Sequence, residues 1–275
     1  MLTLVNVTIE FFVVVAVALA AVLLNTIDAR GFLSSAAVGF AVVYGGGIQW
    51  FVIVAAFFIL GVVFTLYKYG YKRKIGGAQG KGGARNWPHI LANGGLASIV
   101  AVLNFFSPSP YFAAMFLGAI SASAADTAAT ELGLLSKSRP RLITHPSKVV
   151  QPGTSGGVSA LGFLGGLLAS LVIGGMAYSL GILWGAVSVV PACAVGGLGG
   201  AVVDSLAGAA VQRKGHCVIC LKPTEALKHC GERTKATKGW AYVENNLVNV
   251  LSTVAGAGIA ALIYLAMSPA ASGTL

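Results

Sequence analysis

Long apolar runs, nearly free of charge, alternate along this chain with short polar stretches. The runs are Leu4 to Leu24, Gly31 to Tyr44, Ile48 to Tyr67, Trp87 to Phe106, Tyr111 to near Leu132, Gly156 to Leu180, Ile182 to near Val211, and Leu247 to Met267. Since about twenty helical residues cross the hydrocarbon core of a bilayer, the pattern predicts an all-α fold, a polytopic transmembrane helix bundle of eight spans. Seven to nine are compatible with the pattern, because the second run is short and the seventh holds Pro191 and many glycines. The stretch MLTLVNVTIEFFVVVAVALAAVLL lacks a basic leader region and a small-residue cleavage site, so it reads as a retained first span. Residues 1–275 are expected to form one integral membrane domain.

Composition agrees with the pattern. Hydrophobic residues make up 56% and charged residues 9%, where a soluble domain carries roughly a quarter charged, and mean hydropathy is +0.84. The 37 glycines predict close helix packing in lipid rather than loops.

Charge placement adds orientation. All but one of the 18 Lys and Arg lie in the loops 68–86, 135–155 and 212–245, Arg30 being the exception. The positive-inside rule puts these loops in the cytoplasm. Two apolar runs separate each loop from the next, so both termini face outward, in a protein of a prokaryotic cell membrane. The same rule accounts for the net charge of +10. No RNA-binding or zinc-finger helix motif accompanies the charge, and nucleic acid is not an expected partner. Cys217, Cys220 and Cys230 share the last basic loop, where a reducing compartment predicts free thiols.

Only eight acidic residues occur, and Asp126, Glu131, Asp204 and Glu244 lie where apolar runs meet basic loops. A carboxylate at the membrane is a functional candidate by default. In GAISASAADTAATELG, four-residue spacing puts Asp126 with Thr130, and Thr127 with both Ser123 and Glu131, on shared helical faces. In GGLGGAVVDSLAGAAVQ, Gly200, Asp204 and Gly208 recur every four residues, leaving a groove beside Asp204. In VENNLVNVLST, Asn245 and Asn249 share a face beside Asn246. Interhelical hydrogen bonding accounts equally for the hydroxyls of Ser123, Thr130, Ser252 and Thr253, and a solvated helix end accounts for Glu131. Asp126 and Asp204, buried without cations, call for a metal, a proton or a partner.

Two glycine-rich loops precede apolar runs: GGAQGKGGARNWPHILANGG, and Pro152 to Ser159 in KVVQPGTSGGVS. A glycine turn feeding a helix start offers backbone N–H groups to an anion, with Thr154, Ser155 and Lys148 as further donors. Neither is a Walker A sequence, and helix capping explains each loop as well. Together with carboxylates on the same face they point to phosphate and divalent-metal chemistry. In HCVICLKPTEALKHCGER, the spacing of Cys217, Cys220, His229 and Cys230 suits tetrahedral Zn2+ in a structural knuckle, the alternative being cysteines merely buried at a helix edge.

The segments RNWPHILANGG, GAISASAADTAATELG, PRLITHPSKVVQPGTSGGVSALG, GGLGGAVVDSLAGAAVQ and ENNLVNVLS, in that order, resemble the transmembrane protein 19-like family, which includes plant phytyl-phosphate kinase. The resemblance runs from Gly31 to the last span. It implies a kinase that converts an isoprenoid monophosphate, phytyl or geranylgeranyl phosphate, to the diphosphate, with CTP as donor and Mg2+ as cofactor. The family's motif positions fall here on Arg85, Asn86, Asn93 and Gly94; on Asp126, Thr127 and Glu131; on Pro152 to Ser159; on Asp204 and Ser205; and on Asn245, Asn246 and Asn249. Ala128 stands where a tryptophan is common, and Glu244 where an aspartate is.

By that likeness Asp126 and Asp204 hold Mg2+, with Glu131 and Asn245 or Asn246. Arg85, Lys148 and the glycines Gly153, Gly156 and Gly157, with Thr154, hold the phosphates. Two other functions fit the same polar groups: a membrane transporter of a lipid or ion, with broken glycine-rich helices, and a CTP-dependent cytidylyltransferase acting on a lipid phosphate. The clustering of polar motifs at span ends and the absence of an internal repeat speak against a carrier.

Overall fold

The computed structural model describes residues 4–78, 81–183, 187–221, 223–225 and 227–267. The part of the seventh apolar run at 184–186, and residues 79–80 of the first glycine-rich loop, lie outside these. The helices are α1 (Leu4–Leu23), α2 (Ala29–Leu66), α3 (Tyr69–Lys74), α4 (Trp87–Phe106), α5 (Pro110–Gly133), α6 (Ala160–Ser179), α7 (Val189–Ala210) and α8 (Asn245–Met267). Among the described residues, six of them (α2, α4, α5, α6, α7 and α8) are long and apolar enough to cross a membrane, and Thr8–Leu23 of α1 is a shorter apolar helix.

Capping residues set the helix starts. Asp28 accepts from Gly31 N at 2.7 Å, Asn86 from His89 N at 3.1 Å and Ser159 from Gly162 N at 3.1 Å, each satisfying a donor that the first helical turn leaves open. Pro191 lies in the first turn of α7, where a missing N–H breaks no helical bond, so the seventh run is one helix that begins at Val189 rather than a broken span.

α2 is folded in two. Gly47 interrupts it at φ +76°, ψ −176°, a conformation open to glycine. A straight helix would hold Asp28 and Gly61 about 50 Å apart. Yet Asp28 N donates to the Arg85 carbonyl (3.3 Å), and a Cβ on Gly61 would overlap the Arg85 guanidinium. A Cβ on Gly39 would likewise lie 3.1 Å from the Phe51 ring. The chain therefore reverses at Gly47, and arms 29–46 and 48–66, each about 27 Å long, pack side by side. These are the second and third apolar runs, so the eight predicted segments are all present as apolar helical segments.

α5 lies at the centre. It is the least apolar of the six long helices, with mean hydropathy 1.3, and the most enclosed. Facing protein on all sides, it can carry Ser, Thr and carboxylates that a lipid-facing helix could not. Phe116, Leu117 and Ile120 pack there with Trp50, Ile53, Ile173 and Val189, and the Trp50 and Phe116 rings stack at 4.3 Å. On its other side α5 meets α7 and α8 through small residues. A Cβ on Gly118 would sit 2.4 Å from the Gly256 carbonyl, one on Gly200 2.4 Å from Ala122 Cβ, and one on Gly196 2.8 Å from the Gly256 carbonyl.

The connecting segments at one end carry short strands that helical periodicity does not foretell. β1 (Arg141–Leu142), β2 (His145–Val149) and β3 (Gly157–Val158) form an antiparallel sheet in the order β2-β1-β3. β4 (Lys214–His216), β5 (Pro223–Thr224) and β8 (Lys235–Lys238) form another, β5-β4-β8, and β6 (Lys228–His229) with β7 (Glu232–Arg233) makes a hairpin. All three basic loops meet here: Gly153 packs on Gly77 and Leu134, and Lys214 Nζ donates to the Ser155 carbonyl at 3.2 Å. Arg30, beside Asp28 and Arg85, is at the same end, so it is no exception to the charge pattern. A reporter fused after Met267 should behave as exported and one fused after Ser138 as cytoplasmic. Phosphatase activity from the Ser138 fusion in bacterial cells would refute that orientation.

Candidate functional site

A cavity of about 390 Å3 opens at the basic end between α5, α6 and α7, under the 139–159 loop. Its floor is Asp126 of α5 and Asp204 of α7, whose carboxyl groups lie within hydrogen-bonding reach of each other. Two carboxyl groups this close repel unless a cation or a shared proton lies between them. Asn249 of α8 braces the pair. With its amide oriented to satisfy both ends, Nδ2 donates to Asp204 Oδ2 (3.3 Å) and the Asn245 carbonyl (3.0 Å), and the oxygen accepts from Asn93 Nδ2 (3.1 Å). Asn93 also donates to the His89 carbonyl (2.8 Å) and its own carbonyl accepts from Ser123 Oγ (3.0 Å). Four helices thus converge on Asp204.

The roof is the Pro152 to Ser159 turn. Gly153 (φ +83°) and Gly156 (φ +78°) need left-handed backbone, and a Cβ on Gly156 would lie 2.7 Å from Ala209 N. The turn is thereby pressed onto the end of α7. Two of its N–H groups are engaged within it, Thr154 N with the Gln151 carbonyl (3.1 Å) and Gly157 N with that of Thr154 (2.8 Å). Ser159 caps α6. Ser205 and Asn245 line the same cavity, so they share one space with Asp126, Asp204 and the turn.

Several other residues singled out in the sequence do not share it. Glu131 is taken out of the predicted metal set: its Oε2 pairs with Lys72 Nζ at 2.7 Å and its Oε1 accepts from Thr65 Oγ1 at 3.2 Å, with both charges buried. Lys72 donates as well to the Phe64 carbonyl at 2.6 Å, which ties the short α3 to α2 and α5. Arg85 does not reach the 390 Å3 cavity. It lies between Phe57 and Phe58 (5.4 and 5.7 Å to the ring centroids) in a second, apolar cavity of about 80 Å3 with His89 and Asn93. Lys148 stands on the exposed strand β2, Asn86 is a helix cap, Thr127 is buried in α5, and Asn246 is half-buried at the start of α8 without lining the cavity.

Sequence reasoning misses Glu225 and Gln212, which also line the cavity. Ser155 Oγ donates to Glu225 Oε1, and Gln212 Nε2 donates to Oε2 at 2.7 Å. Burial pushes the Glu225 carboxyl up, with Ser155 and Lys214 opposing; burial lowers Lys214. The one sequence signal for Glu225 is its scarcity, as one of eight acidic residues. With Asp126, Asp204 and Glu225 the cavity holds three carboxyl groups, a donor set that fits a hard divalent cation better than a bare anion.

The chain belongs to the family of integral membrane proteins DUF92, which its residues 12–257 match. That stretch takes in the whole cavity and its loops. The chain is 29% identical over 262 residues to an uncharacterized membrane protein of Methanocaldococcus jannaschii, covering 95% of this chain and 96% of the relative. It is 30% identical to Protein PGR of Arabidopsis thaliana, over 80% of this chain and 84% of that one, and 25% identical to Protein VTE6, chloroplastic, of the same plant, over 87% and 66%. No solved structure matches. In this DUF92 protein the five motifs that resemble the transmembrane protein 19-like family all lie at or beside the basic end.

The Lys72–Glu131 pair yields a test of how that end is held. Lys72→Met alone leaves a buried carboxylate without a partner and should destabilise the fold by about 3–5 kcal/mol, while Lys72→Met with Glu131→Gln should recover a large part of the loss. Thermal unfolding of the two single variants and the double variant in detergent checks it; additive losses would show that the charges do not interact.

Proposed function

We propose that this protein is a CTP-dependent isoprenoid monophosphate kinase that makes phytyl or geranylgeranyl diphosphate at the cytoplasmic face of a cell membrane. The observation that carries the reading is the meeting of Asp126, Asp204, Asn245 and the Pro152–Ser159 turn around one cavity, in residues that resemble a family with that activity. The relationship to Protein VTE6 supports it.

The three carboxyl groups fit Mg2+, with Asp126 and Asp204 as the residues that would hold it and Asn249 keeping Asp204 in place. Bound there, Mg2+ would neutralise charge on the phosphates. Thr154 and the backbone of its turn orient the donor phosphates, and the nearby Lys214 ammonium supplies positive charge. Phe163, half-exposed, lines the cavity with Leu198 and Val202 between α6 and α7, an apolar wall along which the first isoprene units can enter. An oxygen of the acceptor phosphate attacks the γ-phosphorus of CTP. The new O–P bond forms as the bond to the β-phosphate oxygen breaks, and the electron pair leaves with CDP. The acceptor is already ionised, so no general base is needed, consistent with the absence of His from the cavity lining.

Purified protein given labelled CTP, Mg2+ and a panel of prenyl monophosphates should release CDP and form the prenyl diphosphate. Pyrophosphate release would identify a cytidylyltransferase instead, and no turnover with net lipid flux into vesicles a carrier.

Asp126→Asn and Asp204→Asn should each lower turnover by about 100-fold or more and leave thermal stability close to that of the parent. Thr154→Ala should weaken CTP binding with little loss of stability. Gly156→Val is unsuited to this purpose, since its side chain would strike Ala209 and test packing instead. Full activity in either Asn variant would remove the metal assignment.

A further inference from the structure

Away from the cavity floor, the 212–244 loop brings four potential metal ligands together. Cys217 follows β4, Cys220 comes three residues later, and the β6–β7 hairpin supplies His229 and Cys230. Their ligand atoms all lie within 4.8 Å of one another. His229 Nδ1 is 3.5 Å from Cys220 Sγ and 3.2 Å from Cys230 Sγ. A tetrahedral ion with bonds of about 2.0–2.3 Å to nitrogen and sulfur separates its ligand atoms by about 3.6–3.8 Å, so only a small adjustment closes four bonds.

The surrounding backbone is arranged for a thiolate as well. Ile219 N and Cys220 N both point at Cys217 Sγ, at 3.4 and 3.5 Å, and N–H groups directed at sulfur stabilise the ionised form that binds metal. Cys230 (φ +53°) and Gly231 (φ +86°) make the tight left-handed turn that brings Cys230 back beside its neighbour His229.

We infer that Cys217, Cys220, His229 and Cys230 bind one Zn2+, and that this ion clamps the loop that sets Glu225 against Ser155 at the cavity. Glu225 lies between the two ligand pairs in sequence. The ends of the intervening segment are fixed by the metal, and its middle is fixed by Ser155 and Gln212 to Glu225 and by Leu227 N to Glu244 Oε1 (3.0 Å). Four ligands leave no open position, so the ion has a structural role. It also answers a chemical need. Three sulfurs and an imidazole this close are the donor set of a thiophilic cation, and metal binding at such a site contributes directly to folding. The inference stands whether or not the cavity carries out phosphoryl transfer.

The full-length protein, purified without chelator from zinc-supplemented cells, should contain about one zinc per chain by elemental analysis. Growth on cobalt should give the visible absorption of a tetrahedral, thiolate-ligated Co2+ ion. Cys217→Ser and Cys220→Ser should lose most of the metal, whereas Asp126→Asn and Glu225→Gln keep it. Chelation of the parent protein should speed trypsin cleavage after the already exposed Lys228 and Arg233, while leaving the helical bundle folded by circular dichroism. The inference is overturned by zinc content far below one per chain in the parent, by a disulfide among the three cysteines, or by full zinc retention in Cys220→Ser. Metal without any change in trypsin cleavage on chelation would overturn the clamp.

Discussion

At the crossing of α5, α7 and α8, backbone approaches backbone: Gly118, Gly196, Gly200 and Gly256 leave no room for a side chain, and the Gly256 carbonyl lies where a Cβ of either Gly118 or Gly196 would be. In lipid no hydrophobic force drives helices together, so association depends on this close packing and on interhelical hydrogen bonds. The crossing decides the chemistry four to eight residues further along each helix. Asp126 lies two turns beyond Gly118, Asp204 one turn beyond Gly200, and Asn249 two turns before Gly256. A larger residue at the crossing would push the helices apart and separate the two carboxyl groups, however suitable each is alone.

The basic end has its own logic. Every Lys and Arg among the described residues lies there, and the carboxyl groups of the cavity face that charge rather than lipid. Two kinds of pairing coexist. Glu131 and Lys72 neutralise each other in a dry setting and hold α3 down, which fixes the first basic loop and brings Gly77 against Gly153. Asp126, Asp204 and Glu225, by contrast, share a cavity with hydroxyl and amide partners, and Lys214 acts on Glu225. Unneutralised carboxyl groups in one space are unfavourable unless a cation or a shared proton joins them, and that imbalance sets the cavity apart from the Lys72–Glu131 pair.

The loops do more than connect. The turn over the cavity is held by β3 on β1, by Ala209 beneath Gly156 and by Glu225 on Ser155. Three segments distant in sequence therefore position one another. The thiol and imidazole cluster lies on the segment that carries Glu225.

Hydropathy alone determined the eight apolar segments, because the bilayer imposes a length and a composition that no tertiary contact can waive, while their ends were set by caps and turns. The reversal at Gly47 was legible as a short gap between two runs, and the clustering of cations as a common face. The carboxylates Asp126 and Asp204 stood out because a charge in an apolar helix is costly wherever that helix packs. Only the tertiary structure separated Glu131 from them, since four-residue spacing shows which residues share a face but not which partner that face meets. It likewise moved Arg85 into an aromatic niche beside α2 and left Lys148 on an exposed strand, although both belong to the same motifs as cavity residues. Glu225 and Gln212 reached the cavity through loop geometry. The pairing of Glu225 with Ser155 spans seventy residues of chain, and no local period encodes a contact of that kind.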